Sequence, residues 1–174
     1  MNDAHLHLLV NHFPIITTVL AIGILITGLL LKNDAVKNTA YILFIVAAIF
    51  GYFSMETGEG AEKLVEDMPN IGRDIIHEHE ELAEKFVLIL YATAIFSALS
   101  LITSIKKQKS SLIFSILTLV LSLLTGFLSI NVGTSGGEIR HTEIRKVVKE
   151  PVMINNSHRN GSSLSIDFNK QKVD

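Results

Sequence analysis

FPIITTVLAIGILITGLLL, residues 13–31, contains no charged side chain, and three further charge-free apolar runs follow at 39–55, 86–104 and 112–132. Each is roughly 17 to 21 residues long, enough to cross a hydrocarbon core of about 30 Å at 1.5 Å per residue. Buried helices of a soluble α-protein carry polar stripes that these runs lack. The reading is an all-α integral membrane protein: a four-helix up-and-down bundle over 1–143, followed by a polar extramembrane tail over 144–174. A positive mean hydropathy and a low share of charged residues agree with it.

The rest of the composition narrows the chemistry. Cysteine is absent, so any metal or haem has to be held by imidazole and carboxylate. The formal net charge is −2 and the basic residues are dispersed, which gives no electrostatic footprint for nucleic acid. The start Met1-Asn2-Asp3-Ala4-His5 lacks a basic n-region, which argues against a cleaved signal peptide and keeps the first span in the membrane.

Lysine and arginine in the short connections set the expected orientation. Lys32 and Lys37 mark one connection, and Lys106, Lys107 and Lys109 another. The head over 1–12 has neither residue type, and the loop over 56–85 holds Lys63, Arg73 and Lys85 against ten acidic residues. The lysine-bearing connections are therefore expected in the cytoplasm of a multi-pass cell-membrane protein, with both termini on the non-cytoplasmic side. Arg140, Arg145 and Lys146 pull mildly the other way. This topology gathers all seven histidines (His5, His7, His12, His77, His79, His141 and His158) at or beyond the outer face.

Four stretches could carry chemistry there. In HLHLLVNHFP (5–14), Asn11 can cap a helix whose first turn accepts Pro14, which puts His12 at the helix mouth in line with Ile16, Val19 and Gly23. In METGEGAE (55–62) the carboxylates recur every third residue, Glu56 sits at the end of a span, and Gly58 and Gly60 weaken continuation of the helix. In RDIIHEHEELAEK (73–85), helical spacing groups His79 with Ile76, Ala83, Phe86 and Leu90 on an apolar stripe, and His77 with Glu81 and Glu84 on a polar one. In GTSGGEIRHTE (133–143), Gly136 and Gly137 allow the chain to leave the helix and fold His141 over the bundle mouth, with Arg140 in reach of Glu56 or Glu59.

Three histidines from three helix ends thus converge, and the expected site is His12 and His79 as first ligands with His141 and Glu56 as further ones. Imidazole is an axial ligand of b-type haem and a ligand of zinc, copper and iron, so the candidate cofactors are haem b or such an ion, with electron transfer as the function. The alternative is a structural or accessory subunit of a membrane complex, its polar cluster only holding helices together. For that use Gly23/Thr27 and Ala47/Gly51 offer close-approach surfaces. Expected partners are the lipid bilayer and either a membrane redox complex or further copies of the chain. The spacing lacks the His-Glu-x-x-His of zinc proteases, and the protein is not read as an enzyme by itself. Transport is disfavoured, because the spans hold scattered Ser and Thr and no ionisable residue at mid-depth. The tail reads as a small hairpin, 163–168 pairing with 147–148 and 152–154, or as disorder.

The head, with His12-Phe13-Pro14, resembles the opening His-x-x-x-x-His-Phe-Pro of bacterial predicted membrane proteins grouped as domain-of-unknown-function family 2231. His79, and Gly136-Gly137 followed by His141, are similar too, and the resemblance spans residues 4–142. Leu6 stands where a proline often follows the family's first histidine, and the acidic 56–62 stretch is a second departure. The resemblance implies a four-helix membrane fold without an established activity.

Overall fold

The computed structural model describes residues 2–66, 68 and 71–145. The tail hairpin expected beyond residue 145 lies outside the described residues. Five helices follow in order: α1 (Asp3–Val10), α2 (His12–Leu30), α3 (Asp34–Val65), α4 (Arg73–Ile105) and α5 (Ser111–Arg140), closed by a 3-10 turn over Thr142–Ile144. The four long helices are each long and apolar enough to span a bilayer and pack as an all-α up-and-down bundle, so the chain is a multi-pass membrane protein. Their outward faces carry apolar residues such as Ile16, Leu88, Ile95 and Phe127, as lipid requires.

The tight connections at the lysine end share one device. After α2 the Asn33 amide bonds the Gly28 carbonyl (2.9 Å) and the Lys32 amide that of Leu29 (3.2 Å); after α4, Gln108 bonds Thr103 (2.9 Å) and Lys107 bonds Ser104 (3.0 Å). Both are Schellman endings, and Lys32 and Lys107 take the left-handed position at φ 51° and 50°. Asn33 then caps α3, its side chain accepting from the Ala35 and Val36 amides. Gly28 allows the turn, since a Cβ there would lie 2.8 Å from Lys37.

Two helices run past the glycines expected to end or weaken them. α3 continues through Gly58 and Gly60 to Val65, and α5 through Gly136 and Gly137 to Arg140. The reason is close approach. α1 continues the line of α2 and packs against α3, so that a Cβ on Gly60 would collide with Asp3, and Gly58 faces the His7 ring. Gly136 receives the ring of His79.

The two hairpins differ in their cores. Between α2 and α3 the buried residues are Ala21, Leu25, Ala40, Tyr41 and Phe44. Between α4 and α5 they are largely hydroxyls: Thr93, Ser97, Ser100 and Ser104 face Ser115, Thr118, Ser122, Thr125 and Ser129. The spacing of three and four on α5 is a coiled-coil seam written in Ser and Thr. The hydroxyls that looked scattered along the sequence are thus a single buried column. Thr93 meets Thr125 at 2.8 Å, Ser100 meets Thr118 at 2.9 Å, and the Tyr41 hydroxyl donates to Ser115 at 2.7 Å. Small polar side chains let helices approach in lipid, and each contact there is worth about 0.6 kcal/mol on average.

Candidate functional site

The end of the bundle opposite the lysine connections is built from α1, the last turns of α3, the first turns of α4 and the last turns of α5. A cluster of Ala47, Phe86, Val87, Leu90 and Val132, with Ile15, Met55, Leu82 and Ala83 against it, forms its floor. His79 stands one turn above Ala83 and Ser135 one turn above Val132. As its apolar stripe predicts, His79 turns inward together with Ile76, Phe86 and Leu90, all buried.

The His79 ring lies on α5. Its Nδ1 is 2.8 Å from the Ser135 Oγ, and that hydroxyl is also 3.1 Å from the Val132 carbonyl. A hydroxyl has one proton, and a carbonyl only accepts. Both contacts are met together when Ser135 donates to Val132 and His79 donates from Nδ1. The proton is then on Nδ1, and the second ring nitrogen, Nε2, carries a bare lone pair.

A second imidazole repeats this pattern. His7 of α1 places its Nδ1 3.1 Å from the Ser54 carbonyl and 3.2 Å from the Thr57 hydroxyl. The Thr57 hydroxyl in turn donates back along α3 to the Phe53 carbonyl at 2.8 Å. Since Ser54 offers only an acceptor, Nδ1 of His7 is the donor and its Nε2 is bare as well. Among the described residues neither Nε2 has a hydrogen-bond partner and neither ring has a carboxylate partner.

Both rings lie before the charge-free runs, at the mouth, and burial disfavours the charged form of both. Burial pushes His79 below the ordinary imidazole value, and the nearby His7 adds to the shift. For His7 burial again leads, opposed by the Ser54 bond and aided by His12. The two rings are near enough for a charge on one to be felt at the other.

The remaining expected ligands do not join His79, and among the described residues no three His, Asp or Glu gather into one cluster. His12 begins α2 but is exposed, in line with the exposed Ile16 and Val19; a Cβ on Gly23 would meet nothing within 4 Å. Asn11 makes no side-chain cap, because α1 and α2 are nearly continuous and Asn11 is itself helical. Glu56 is exposed on α3. His141 follows the last turn of α5, pointing away to Glu143 at 2.9 Å, because α5 does not break at its glycines. Arg140 reaches the Met68 sulfur instead of Glu56 or Glu59, while Arg145 closes α5 by donating to the Glu138 and Ile139 carbonyls. His77 is on the polar side, 3.5 Å from Glu81, as its spacing predicts. Its neighbour Glu80 faces Glu62 of α3; burial first, then that contact, raises the Glu80 carboxyl.

His7 is the residue that reading from the helix start overlooked. Its signal is the buried line Pro14, Thr18, Ala21, Leu25 and Gly28 of α2, which stepped back by seven passes through His7.

Comparison with curated proteins and with solved structures finds no match. The family model described as "Predicted membrane protein (DUF2231)" matches residues 4–145, covering all five helices and the histidine-bearing mouth, and the chain belongs to that family.

Proposed function

We propose that this protein is an accessory subunit of a membrane complex that docks a neighbouring transmembrane helix against the outer face of α2. One observation carries the reading. Of the two close-approach pairs visible in the sequence, Ala47/Gly51 is consumed inside the bundle, where a Cβ on Gly51 would touch Leu90 at 3.2 Å. Gly23/Thr27 faces outward with nothing against Gly23, and the Thr27 hydroxyl is already bonded to the Gly23 carbonyl at 2.8 Å. A small-xxx-small step on a lipid face is the surface on which transmembrane helices associate. An open apolar groove of about 500 Å³ between α3 and α4, floored by Ala48, Ala94 and Ala98, offers a second such surface.

The reading as an electron-transfer protein with haem b or a metal on His12, His79, His141 and Glu56 has less support, because these four side chains stand apart. In the proposed orientation the histidine-bearing mouth faces the non-cytoplasmic side, consistent with the lysine-bearing connections at the other end.

The chain has no cysteine, so single cysteines are clean probes. Gly23→Cys carrying a thiol-attached photo-cross-linker is expected, on illumination of native membranes, to cross-link to an adjacent chain, whereas Ile113→Cys, exposed on α5, does not. Gly23→Leu is expected to release the protein as a monomer on native purification. A Gly23→Cys variant that stays uncross-linked, with wild type already monomeric, would contradict the docking role.

A further inference from the structure

We propose that His7 and His79 together bind a first-row transition-metal centre that takes imidazole nitrogen, either a free ion or the iron of a haem, through their Nε2 atoms. The inference stands apart from the docking surface on α2, and either can fail without the other.

These two histidines differ from the exposed ones in their surroundings. His77 and His141 are exposed and lie beside carboxylates, which explains their polarity without a ligand. His7 and His79 are half-buried and have no such neighbour. A buried imidazole placed only to pack would be replaceable by any apolar ring, yet each of these has its Nδ1 fixed by a dedicated acceptor, the Ser54 carbonyl or the Ser135 hydroxyl. This is the outer-shell pattern of metal-binding histidines: the far nitrogen is tied to an acceptor, usually a carboxylate, a backbone carbonyl or water, which sets the tautomer, orients the ring and makes the near nitrogen a better donor.

Three further features fit. The rings come from separate elements, α1 and α4, and close on the same mouth above the Phe86 and Leu90 floor. Gly136 is the residue that lets the His79 ring approach α5, since a Cβ there would be 3.0 Å from its Cε1. An imidazole with its proton on Nδ1 and a bare Nε2 is also the ligating form, and the two Nδ1 acceptors favour it. Two nitrogens leave the rest of a coordination sphere open, to water for a free ion or to the four nitrogens of a porphyrin for haem iron.

The test uses full-length protein purified in detergent and stripped of metal. Zn²⁺ and Cu⁺ are titrated against a chromophoric chelator, and haemin is followed by its Soret band. Wild type is expected to take one equivalent of at least one probe. His7→Ala and His79→Ala should each weaken that binding roughly tenfold or more, while His12→Ala and His77→Ala leave it unchanged. Ser135→Ala keeps both ligands and removes only the Nδ1 acceptor, so it should cost about 10- to 100-fold in affinity. It decides the matter should either alanine variant fail to fold by circular dichroism. A Soret band identifies haem as the source, and chelator competition a free ion. The proposal is overturned if wild type binds none of the three probes, if binding survives both histidine substitutions, if His77→Ala weakens it equally, or if Ser135→Ala leaves it intact.

Discussion

His79 and His141 are both near the ends of long helices at the same end of the bundle, and their surroundings could hardly differ more. His79 lies within the mouth, pressed on Gly136 and tied to Ser135, with no carboxylate beside it. His141 is on the rim, exposed, with Glu143 2.9 Å away. The difference teaches that position along the chain does not select a ligand; what selects it is whether the neighbouring helix offers a gap for the ring and an acceptor for its far nitrogen. α5 supplies both at Gly136 and Ser135 for His79, and α3 supplies the Ser54 acceptor for His7, with Gly58 in ordinary contact with the ring. The rim gives His141 an acceptor in Glu143 but no neighbouring helix to receive the ring.

The strongest way to break this contrast is to fill the gap. Gly136→Leu forces a side chain into the space of the His79 ring, and overpacking of this kind costs about 1 to 3 kcal/mol. We expect a lower unfolding midpoint in detergent together with loss of metal or haem binding; unchanged values for both would mean that the ring is not held against Gly136. Gly133→Leu, a turn earlier, where a Cβ would sit 3.8 Å from Ile15, should be milder.

Acidification probes the same contrast more gently. His7 and His79 have folded pKa values lowered by burial, so the stability tied to their neutral forms is fully present above the unfolded value of about 6.5 and is lost as pH falls through the lowered folded values. A charge on His7 adds to the repulsion at His79, and His12 adds to that at His7 once charged. The Glu80 carboxyl beside His77 acts oppositely at lower pH, because burial and its contact with Glu62 raise it and favour its protonated form in the folded state. The window therefore opens near the unfolded value of about 6.5 and extends below it. The unfolding midpoint should fall across it, and His79→Gln should flatten part of the fall. An equal slope in the variant would remove His79 from the account.

Within the membrane, Thr125→Val cuts the contact with Thr93 and leaves Thr93 free to donate to the Ile89 carbonyl. The expected loss is about 0.6 kcal/mol and at most about 1.7 kcal/mol, measured by reversible unfolding in bilayer mimetics. The smallest effect belongs to the rim. His141→Gln should leave the unfolding midpoint and ligand binding where they were, since an exposed ion pair contributes little.

Much of this was legible in the sequence, for reasons that are physical. Charge-free runs of spanning length have one stable solution in lipid, so the four-helix bundle could be read directly. His79 could be read too, because it continues an unbroken apolar stripe through Ala83, Phe86 and Leu90. His12 drew the reading toward the helix start, whereas the line that faces the bundle passes through His7, and helical dihedrals at Asn11 carry that line across the junction of α1 and α2. The glycines misled in a different way. Gly58, Gly60, Gly136 and Gly137 looked like places to leave a helix, but three of them admit a partner side chain to a helix that continues. Propensity is a weak prior beside such contacts. The hydroxyl column was hidden because Ser and Thr satisfy their own helix as well as a neighbour, and only the pairing of α4 with α5 shows which face they share.

The central claim is that the mouth holds two imidazoles with protonated Nδ1 and bare Nε2. Nitrogen-15 chemical shifts of histidine-labelled protein read this directly at pH 7, with His7→Gln and His79→Gln assigning the two signals. The account predicts that both rings are neutral and carry the proton on Nδ1. Rings protonated on Nε2 would place a hydrogen on the atom meant to bind the metal, and would contradict it.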